Sequence, residues 1–440
     1  MMNMELLYKN YLQSSLICID TRKISPDCIF FALKGDNFDG NAFAEAALIS
    51  GAAWAVVDDP QLTANGKFIR VENVLETLQE LARHHRKQLS IPFIAITGSN
   101  GKTTTKELLY SVLSQHCKTH ATSGNLNNHI GVPLTILSIP ENTDIAIIEM
   151  GANHQKEIAF LCSIALPTHG LITNVGKAHL EGFGSFEGVK IAKGELYEYL
   201  AKSGGTVFVN SGNHHLVDMQ RDRVVQKVIS YGSSADNYVS GIMIGTSPCL
   251  EVAWHREAME VDDRTHVAQS NLTGTYNFEN ILSAICIGIY FKLSASQINK
   301  GIKLYCPTNN RSQLTKTEKN TLICDYYNAN PSSMEVALDN LQSTGHEPKA
   351  FILGDMFELG EEADAEHQLI IEKAMLLNAD RSIFIGEEFY KQKRTVPKSA
   401  EFYRSTKEAY EAIKSDSLSG LLILIKGSRG MKLEALIDLL

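Results

Sequence analysis

The fold of this chain is decided by the stretch Phe93-Ile94-Ala95-Ile96-Thr97-Gly98-Ser99-Asn100-Gly101-Lys102-Thr103-Thr104. Its apolar first half predicts a buried strand, and its glycine-rich second half predicts a turn that leads into a helix. Backbone N–H groups of such a turn converge on one point, and the helix N-terminus adds positive potential. The stretch therefore predicts a phosphate-binding loop in the shorter GxxGKT form, since Ile96 stands where the usual pattern has its first glycine.

The loop supplies most of the residues that we expect to bind phosphate. Lys102 is the catalytic cation expected to reach the β- and γ-phosphates, and the Thr103 hydroxyl is expected to bind Mg²⁺. An ordinary glycine turn with a surface lysine would have the same composition, but the flanking strand and helix favour phosphate binding. The predicted binding residues are Gly98, Ser99, Asn100, Gly101, Lys102, Thr103 and Thr104.

Strand-like and helix-like segments alternate on both sides of the loop, which implies parallel sheets with right-handed crossovers. We predict an α/β fold of three domains. Residues 1–88 form a small α/β domain that ends in a charged run before Pro92. Residues 89–306 form a central P-loop ATPase-type parallel sheet with an antiparallel extension near residues 238–256. Residues 307–440 form a C-terminal Rossmann-like domain.

Composition narrows the class of protein. The chain has 440 residues, 44% of them hydrophobic, which excludes intrinsic disorder. Its net charge of −9 disfavours a general nucleic-acid binder, which needs a basic surface. The N-terminus lacks the features of a signal peptide, and no apolar run is long enough to span a membrane. With eight scattered cysteines and no CxxC pair, we expect a cytoplasmic protein with reduced thiols.

Two further strand ends carry polar residues that suit metal binding. Glu149 closes the apolar run 144–150, and a carboxylate there lies at the ligand-binding edge of a parallel sheet. His179 follows the strand predicted at 170–174, where a neutral imidazole can bind a second divalent ion. A surface glutamate and a histidine without a ligand are the alternatives, and the neighbouring loop favours the metal interpretation of both.

Lys193 lies in an apolar stripe of a predicted helix, with Val189, Leu196 and Leu200 on the same face. A lysine in such a stripe either extends its amine to solvent or is desolvated. Desolvation lowers the amine pKa and frees it for chemistry, including reaction with CO₂ to give a carbamate that could bind Mg²⁺. The helix pattern alone leaves both alternatives open.

The C-terminal block places three polar turns after predicted strands, at residues 325–331, 353–356 and 426–430. The carboxyl ends of parallel strands meet at one edge of a sheet, so these turns together suggest a binding face. Each turn alone would be an ordinary loop.

Together these motifs resemble the Mur ligase family, whose members add amino acids to the peptidoglycan precursor, and the resemblance covers nearly the whole chain. Residues 20–22 and 30–35 look like its uridine-binding segment, and residues 123–128 with 130–135 look like its muramyl-substrate segment. Residues 149–152, His179 and residues 192–195 match its metal and carbamoyl-lysine motifs. The resemblance thus implies that Lys193 is carbamoylated.

The resemblance implies a residue-by-residue assignment of the ligands. ATP is contacted by the loop and by Asn277, Asn280, Arg311 and Asp325. Two Mg²⁺ ions are held by Thr103, Glu149, His179 and carbamoylated Lys193. The UDP-muramoyl-peptide is bound by residues 1–88 and the central domain, through Thr21, Arg22, Lys34, Asn125, Asn127 and Asn128. The acceptor side and the closure over ATP belong to the C-terminal domain, through Asn328, Asn330 and Asp355.

The implied activity is that of an ATP-dependent carbon–nitrogen ligase acting on small molecules. It joins D-alanyl-D-alanine to UDP-N-acetylmuramoyl-tripeptide through an acyl phosphate, and its products are the UDP-muramoyl-pentapeptide, ADP and phosphate. We expect a monomer with no nucleic-acid partner. Two positions depart from the family pattern: Tyr276 stands where a histidine is usual, and Cys324 where an acidic residue is common.

Other functions are weighed against this one. A Mur ligase that adds the third residue is disfavoured by the Asn328-Ala329-Asn330-Pro331 turn, and a folylpolyglutamate synthase-like ligase by the N-terminal segment. A P-loop phosphotransferase has no need of Lys193. An inactive nucleotide-binding module with a regulatory role is disfavoured because the predicted phosphate and metal residues are all present.

Overall fold

A computed structural model describes residues 3–62, 66–246, 249–256, 265–395 and 399–440. The first unit is a four-stranded parallel sheet in the order β1-β2-β5-β6, with a separate hairpin of β3 and β4. Its elements are α1 (Met4–Gln13), β1 (Ile17–Cys18), β2 (Ile29–Phe31), β3 (Lys34–Gly35), β4 (Phe38–Asp39), α2 (Ala44–Ile49), β5 (Trp54–Val57), β6 (Phe68–Arg70) and α3 (Val74–Gln88).

The second unit is a nine-stranded sheet in the order β15-β14-β13-β12-β11-β10-β7-β9-β8. Its elements are β7 (Phe93–Thr97), α4 (Lys102–Leu113), β8 (Thr119–Ala121), α5 (Gly131–Leu137), β9 (Ile145–Glu149), α6 (Glu157–Ala165), β10 (His169–Ile172), α7 (Leu180–Phe183), α8 (Phe186–Ser203), β11 (Thr206–Asn210), α9 (His214–Asp222), β12 (Lys227–Gly232), β13 (Val239–Gly245), β14 (Glu251–Arg256), β15 (His266–Gln269), α10 (Asn277–Tyr290) and α11 (Ala295–Leu304).

The third unit is a six-stranded sheet in the order β16-β17-β21-β18-β19-β20, parallel except for β16. Its elements are β16 (Gln313–Lys316), β17 (Thr321–Asp325), α12 (Pro331–Ser343), β18 (Lys349–Gly354), α13 (Ala363–Met375), β19 (Arg381–Ile385), α14 (Glu387–Lys391), β20 (Glu401–Tyr403), α15 (Thr406–Ser415) and β21 (Leu422–Lys426). Short 3₁₀ helices occur at Thr21–Lys23, Gly40–Phe43, Gly360–Glu362, Gln392–Thr395, Arg429–Met431 and Leu433–Leu439.

The predicted α/β architecture is confirmed, including the antiparallel extension of the central sheet. Strands β8 to β13 pair in parallel, whereas β14 pairs antiparallel with both β13 and β15. Each residue of β7 is buried, as expected for a strand covered by helices on both faces. The strand predicted at 170–174 is β10, which ends earlier, at Ile172. The polar residues after it form a loop.

Strand β7 occupies the position that creates the site. It pairs with β9 on one side and β10 on the other. The strand order of the sheet therefore reverses direction at β7. Ligands of open α/β sheets bind in the crevice beyond the carboxyl ends of strands at such a switch point. The phosphate-binding loop follows β7, Glu149 ends β9, and the segment that leads to His179 follows β10.

The helices complete the layers around this sheet. Helix α10 is buried continuously from Asn280 to Gly288, because it packs between the sheet and the neighbouring helices α4 and α11. Among the helices that the structure describes, none combines the length and apolar character needed to cross a membrane.

Arg86, in the charged run at the end of α3, lies inside the protein rather than in solvent. The Arg86 guanidinium donates to the carbonyl oxygens of Ala165, Leu89 and Leu166 at 2.8, 2.7 and 3.0 Å, and stacks 3.7 Å from the Phe93 ring centroid. Burial lowers the pKa of Arg86 to about 10, so the side chain stays charged at neutral pH. The run expected only to mark a boundary therefore joins the first unit to the second.

The two units also share apolar packing. One hydrophobic cluster contains Leu7, Phe31 and Val74 of the first unit together with Phe93 and Ile136 of the second. Each fully buried side chain of this size contributes about 1.5–3 kcal/mol to folding. The first sheet is thus held against the central one by a common core as well as by Arg86.

We predict that Arg86→Met lowers the free energy of unfolding by about 3 kcal/mol, because buried carbonyl acceptors lose their charged donor. Chemical denaturation monitored by circular dichroism measures the change. Arg70→Met, at an exposed position of β6, is the matched control and should change the stability by less than about 0.5 kcal/mol. Equal stabilities of the two variants would contradict a stabilising contact of Arg86 between the first and second units.

Candidate functional site

The phosphate-binding loop has a backbone that requires glycine. Gly98 has a φ of +144°, in a region that other residues rarely adopt. A Cβ atom at this position would also collide with the Thr173 hydroxyl oxygen. The loop therefore passes so close to the segment after β10 that only glycine fits.

The segment after β10 braces the loop by hydrogen bonds. The backbone N–H groups of Ser99 and Asn100 donate to the carbonyl and side-chain oxygens of Asn174, both at 3.0 Å. The Thr173 hydroxyl donates to the Asn100 carbonyl oxygen at 2.6 Å, and the Gly176 N–H donates to the Ser99 hydroxyl oxygen at 3.0 Å. The loop is thus held in shape by protein contacts before any phosphate binds.

Lys102 begins α4 and folds back over the loop. Its Nζ donates to the carbonyl oxygens of Gly98 and Ser99 at 2.7 and 3.2 Å. Burial lowers the pKa of Lys102 to about 8, the Arg311 guanidinium lowers it further, and the Glu149 carboxylate opposes both. An anion in the cavity would favour the charged form of this amine, so Lys102 is suited to neutralising phosphate.

Glu149 ends β9 beside the loop and is buried. Its Oε1 accepts hydrogen bonds from the Thr103 hydroxyl at 3.2 Å and the Asn127 side-chain amide at 2.8 Å, while its Oε2 is buried without a partner. An unpaired buried carboxylate oxygen is costly unless a cation or donor satisfies it. Thr103 and Glu149 therefore fit a Mg²⁺ site.

Mg²⁺ usually takes one or two protein ligands and completes its shell with water and phosphate oxygens. In the described part of the chain, no three His, Cys, Asp or Glu side chains are grouped to hold a metal ion. A hydroxyl and one carboxylate are the pattern expected where nucleotide phosphates supply the other ligands.

His179 connects the central unit to the C-terminal one. Its backbone is left-handed, with a φ of +52°, and its Nδ1 is hydrogen-bonded to Oε2 of Glu358. This contact lowers the pKa of the Glu358 carboxyl. Glu358 lies two residues beyond the turn at 353–356, in which Asp355 was the residue expected on the acceptor side.

Asp355 does not line the cavity. Its carboxylate accepts hydrogen bonds from the backbone N–H groups of Glu388 and Phe389, both at 3.0 Å, at the start of α14. Burial raises its pKa, against the effect of those hydrogen bonds. The structure thus gives Asp355 a helix-capping contact and brings Glu358, three residues later, to the predicted metal residue His179.

Lys193 is buried on α8, with 1% of its surface exposed. Its Nζ donates to the Ala152 carbonyl oxygen at 3.3 Å and lies 5.0 Å from the centroid of the Phe183 ring. Burial lowers its pKa well below the usual range, and the Lys102 charge lowers it further. Of the two alternatives for this side chain, extension to solvent is excluded and desolvation is what the structure shows.

The C-terminal unit closes over the loop. Asn330, at the N-terminus of α12, donates from its side-chain amide to the Asn100 side-chain oxygen at 2.9 Å. The Ser332 hydroxyl accepts from the Lys177 N–H at 2.9 Å, and the Lys177 amine pairs with Glu366 at 2.6 Å. Ser332 and Lys177 were not among the predicted site residues, because their pairing depends on how the two units pack.

A cavity of about 790 Å³ lies between the loop, α10 and the C-terminal unit. The Arg311 guanidinium stacks over the Tyr327 ring at 3.9 Å, and Asp325 pairs with the Lys426 amine at 2.6 Å. The predicted residues that line this cavity are Ser99, Asn100, Gly101, Lys102, Thr104, Asn125, Asn127, Asn128, Glu149, His179, Asn277, Asn280, Arg311, Asp325, Asn328 and Asn330.

Three predicted residues of the first unit lie outside the cavity wall, as do Gly98, Thr103, Lys193 and Asp355. Arg22 pairs with Asp20 at 2.8 Å, Lys34 pairs with Asp58 at 2.9 Å, and Thr21 begins a 3₁₀ helix between β1 and β2. These side chains are therefore not brought together with the phosphate-binding loop, and their substrate contacts stay a prediction.

Asn277 and Asn280 use their amides to tie α10 to the loop helix. Asn280 accepts from the Thr105 hydroxyl at 3.0 Å and donates to Asn277 at 2.8 Å, and Asn277 donates to the Thr273 carbonyl oxygen at 2.7 Å. Both asparagines line the cavity, so they position its wall whether or not they touch a nucleotide.

Comparisons with known proteins cover all three units. Residues 14–86 match the Mur ligase family, catalytic domain; residues 96–288 match the Mur ligase middle domain; and residues 310–429 match the Mur ligase, glutamate ligase domain. The UDP-N-acetylmuramoyl-tripeptide–D-alanyl-D-alanine ligase of Bacillus subtilis (strain 168) is 34% identical over 96% of this chain and 92% of the relative.

The protein of the same name from Escherichia coli (strain K12) is 35% identical over 84% of this chain and 81% of the relative. Among solved structures, a crystal structure of MurF from Acinetobacter baumannii superposes with a TM-score of 0.86. That structure shares 28% identity and covers 96% of this chain and 92% of its own. The similarity thus extends from the first sheet to the last.

We predict that Gly98→Ala weakens ADP binding at least 30-fold, because a Cβ there forces the loop away from Thr173 and misaligns its N–H groups. Isothermal titration calorimetry with ADP and Mg²⁺ measures the change. Gly66→Ala is the matched control, since among the described residues no atom lies within 4 Å of a Cβ at that position. Unchanged ADP affinity in Gly98→Ala would contradict phosphate binding by this loop.

Proposed function

Because this chain belongs to the Mur ligase family, we propose that it is the ATP-dependent ligase that joins D-alanyl-D-alanine to UDP-N-acetylmuramoyl-tripeptide. Its products are the UDP-muramoyl-pentapeptide, ADP and phosphate, in the synthesis of the peptidoglycan precursor. The observation that carries the proposal is the cavity at which Asn330 of the third unit contacts Asn100 of the phosphate-binding loop. This contact brings the C-terminal unit against the phosphate-binding loop, which suits a site that brings ATP and an acceptor together.

Amide formation needs an activated carboxylate. The terminal carboxylate of the tripeptide attacks the γ-phosphorus, the bond to the β-phosphate oxygen breaks, and ADP leaves. The amine of D-alanyl-D-alanine then attacks the acyl-phosphate carbon, so that the C–N bond forms, phosphate leaves and the amine loses a proton. Phosphoryl transfer is mostly positioning and charge neutralisation, which this cavity supplies.

The chain's own residues divide this work. Lys102, at the start of α4, neutralises the β- and γ-phosphates, and the backbone N–H groups of the first turn of α4 hold the phosphate oxygens. Thr103 and Glu149 would hold Mg²⁺, which offsets charge on the phosphates when bound. Asn330 holds the C-terminal unit over the loop, so water is kept from the acyl phosphate.

The second ion and the modified lysine are a finer part of the proposal. Desolvation lowers the pKa of the Lys193 amine and so favours its neutral form. A neutral amine adds to CO₂ with formation of an N–C bond and loss of a proton. His179 and the resulting carbamate would hold the second Mg²⁺. The centroid of the Phe183 ring lies 6.3 Å from that of His179 and 5.0 Å from the Lys193 Nζ.

The three units have different roles in this proposal. Residues 1–88 bind the UDP-muramoyl end of the substrate, residues 89–306 bind ATP, and residues 307–440 bind the acceptor dipeptide and close the site. Thr21, Arg22 and Lys34 face the uridine end, and Asn328 and Asn330 face the acceptor. In this proposal the protein acts as a monomer in the cytoplasm.

The alternatives are less well supported. Both curated relatives carry the tripeptide–D-alanyl-D-alanine ligase name, which disfavours a third-residue ligase and a folylpolyglutamate synthase. An inactive regulatory module would have no use for a desolvated lysine at Lys193 and an unpartnered carboxylate oxygen at Glu149. Phosphate release with UDP-muramoyl-tripeptides, with and without D-alanyl-D-alanine, tests the proposal. Release that is independent of the dipeptide would overturn it.

We predict that Lys102→Ala lowers kcat for ligation at least 100-fold, because the phosphates lose a preorganised cation. Coupled phosphate-release kinetics measure the rate, and circular dichroism checks that the variant is folded. Lys118→Ala, beyond the other end of α4, removes an exposed lysine and should keep the wild-type rate. A Lys102→Ala enzyme with near-wild-type kcat would exclude the assigned role of the loop.

We predict that Lys193→Ala loses ligation at least 100-fold and that acetate restores part of it, since a carboxylate can occupy the vacated space. Lys193→Arg should not be rescued by acetate, because its side chain stays cationic and fills that space. Wild-type activity should also fall in rigorously CO₂-free buffer. Full activity of Lys193→Ala without CO₂ would remove the carbamate from the mechanism.

A further inference from the structure

The segment that links the central and C-terminal units has an unusual backbone. Asn310 and Ser312 both have left-handed conformations, with φ of +56° and +51°. Side chains other than glycine rarely adopt this region, and such residues persist only where the surroundings hold them. The residue between them is Arg311, which lines the cavity.

Tyr276 is one of the groups that hold this linker. Its hydroxyl shares a hydrogen bond of 2.5 Å with the Ser312 hydroxyl. The Tyr276 ring lies against Gly274, whose φ is +85° and where a Cβ would collide with the ring. Burial raises the pKa of Tyr276, and the nearby Asp325 carboxylate raises it further, so the hydroxyl stays protonated and can serve as a donor.

Ser312 connects Tyr276 to the residues that line the cavity. Its backbone N–H donates to the Asp325 carboxylate at 3.1 Å, and its carbonyl oxygen accepts from the Thr273 hydroxyl at 3.3 Å. The preceding residue, Arg311, stacks its guanidinium on Tyr327 and keeps a buried Nε without a partner in the described structure. Fixing Ser312 therefore fixes the direction in which Arg311 and Asp325 point.

A second anchor connects the same linker to the phosphate-binding helix. The carboxylate of Glu107, on α4, accepts from the Tyr305 hydroxyl at 3.2 Å and from the Asn309 side-chain amide at 3.3 Å. The linker is thus tied to α4 at its beginning and to the N-terminus of α10 at its end. Both helices border the cavity.

We propose that Tyr276 is a positioning residue for the nucleotide, acting through Ser312 to hold Arg311 and Asp325 toward the cavity. The proposal rests on the proposed function, because it takes ATP as the occupant of this wall. It gives a role to one of the two positions at which the sequence departs from the family pattern.

The main test is Tyr276→Phe, which removes the hydroxyl and keeps the ring packed on Gly274. We expect the KM for ATP to rise at least fivefold while kcat changes less than twofold and the KM for D-alanyl-D-alanine is unchanged. ADP affinity measured by calorimetry should fall by the same factor as the KM for ATP rises. A general loss of structure would instead lower kcat and affect all substrates.

Coupling between residues gives the second readout. Ser312→Ala should raise the KM for ATP as much as Tyr276→Phe, and the double variant should be no worse than either single one. Arg311→Ala should weaken ADP binding in the wild type and have a smaller effect in the Tyr276→Phe background. Additive effects in both cycles would overturn the proposal. If Tyr276→Phe folds poorly, Ser312→Ala alone tests the same hydrogen bond.

Tyr290→Phe is the matched control. Tyr290 lies at the other end of the same helix, where its hydroxyl is hydrogen-bonded to His169 at 3.3 Å and does not line the cavity. The KM for ATP should not change in this variant. An unchanged KM in Tyr276→Phe, or an equal rise in Tyr290→Phe, overturns the positioning role. If the wild type binds ADP but does not ligate, the proposed function fails, and ADP affinity alone decides the role of Tyr276.

Discussion

The rest of the site depends on the hydrogen bonds between the phosphate-binding loop and the segment that follows β10. Asn174 accepts from two consecutive N–H groups of the loop, and Thr173 fixes the carbonyl of Asn100. These bonds are formed by the protein alone, so the loop does not have to be ordered by its ligand. Binding free energy that would otherwise order the loop is then available for phosphate and for the transition state.

The same constraint explains how the C-terminal unit finds its place. Because Asn100 is held by Thr173, its side chain can offer a fixed acceptor to Asn330 at the start of α12. The loop that continues from Asn174 carries Lys177 and His179, which contact Glu366 and Glu358 of the C-terminal unit. One short segment thus orders the phosphate site on one side and receives the closing unit on the other.

Much of the fold could be predicted because its signals are local. An apolar strand, a glycine turn and a helix beginning at Lys102 lie in consecutive residues. Because the strand is buried on both faces, it shows in the sequence as a continuous apolar run rather than as alternating apolar and polar residues. The helical spacing of Lys193 placed it in an apolar stripe but left open whether its amine reaches solvent, and its burial was decided only by the structure. The buried state of Arg86 could not be predicted either, since a charged run at a helix end has the same pattern whether it faces solvent or the carbonyls of Ala165 and Leu166.

The sequence by itself determined the succession of strands and helices along the chain, the phosphate-binding loop and the candidate carboxylate Glu149. Each of these depends on neighbours within a few residues. Only the tertiary structure decided that Glu358 reaches His179, and that Tyr276 contacts Ser312 of the linker. These pairs are separated by 179 and 36 residues. Spacing along the chain carries no information about such contacts, since they arise from how the sheets pack and where each turn directs its side chains.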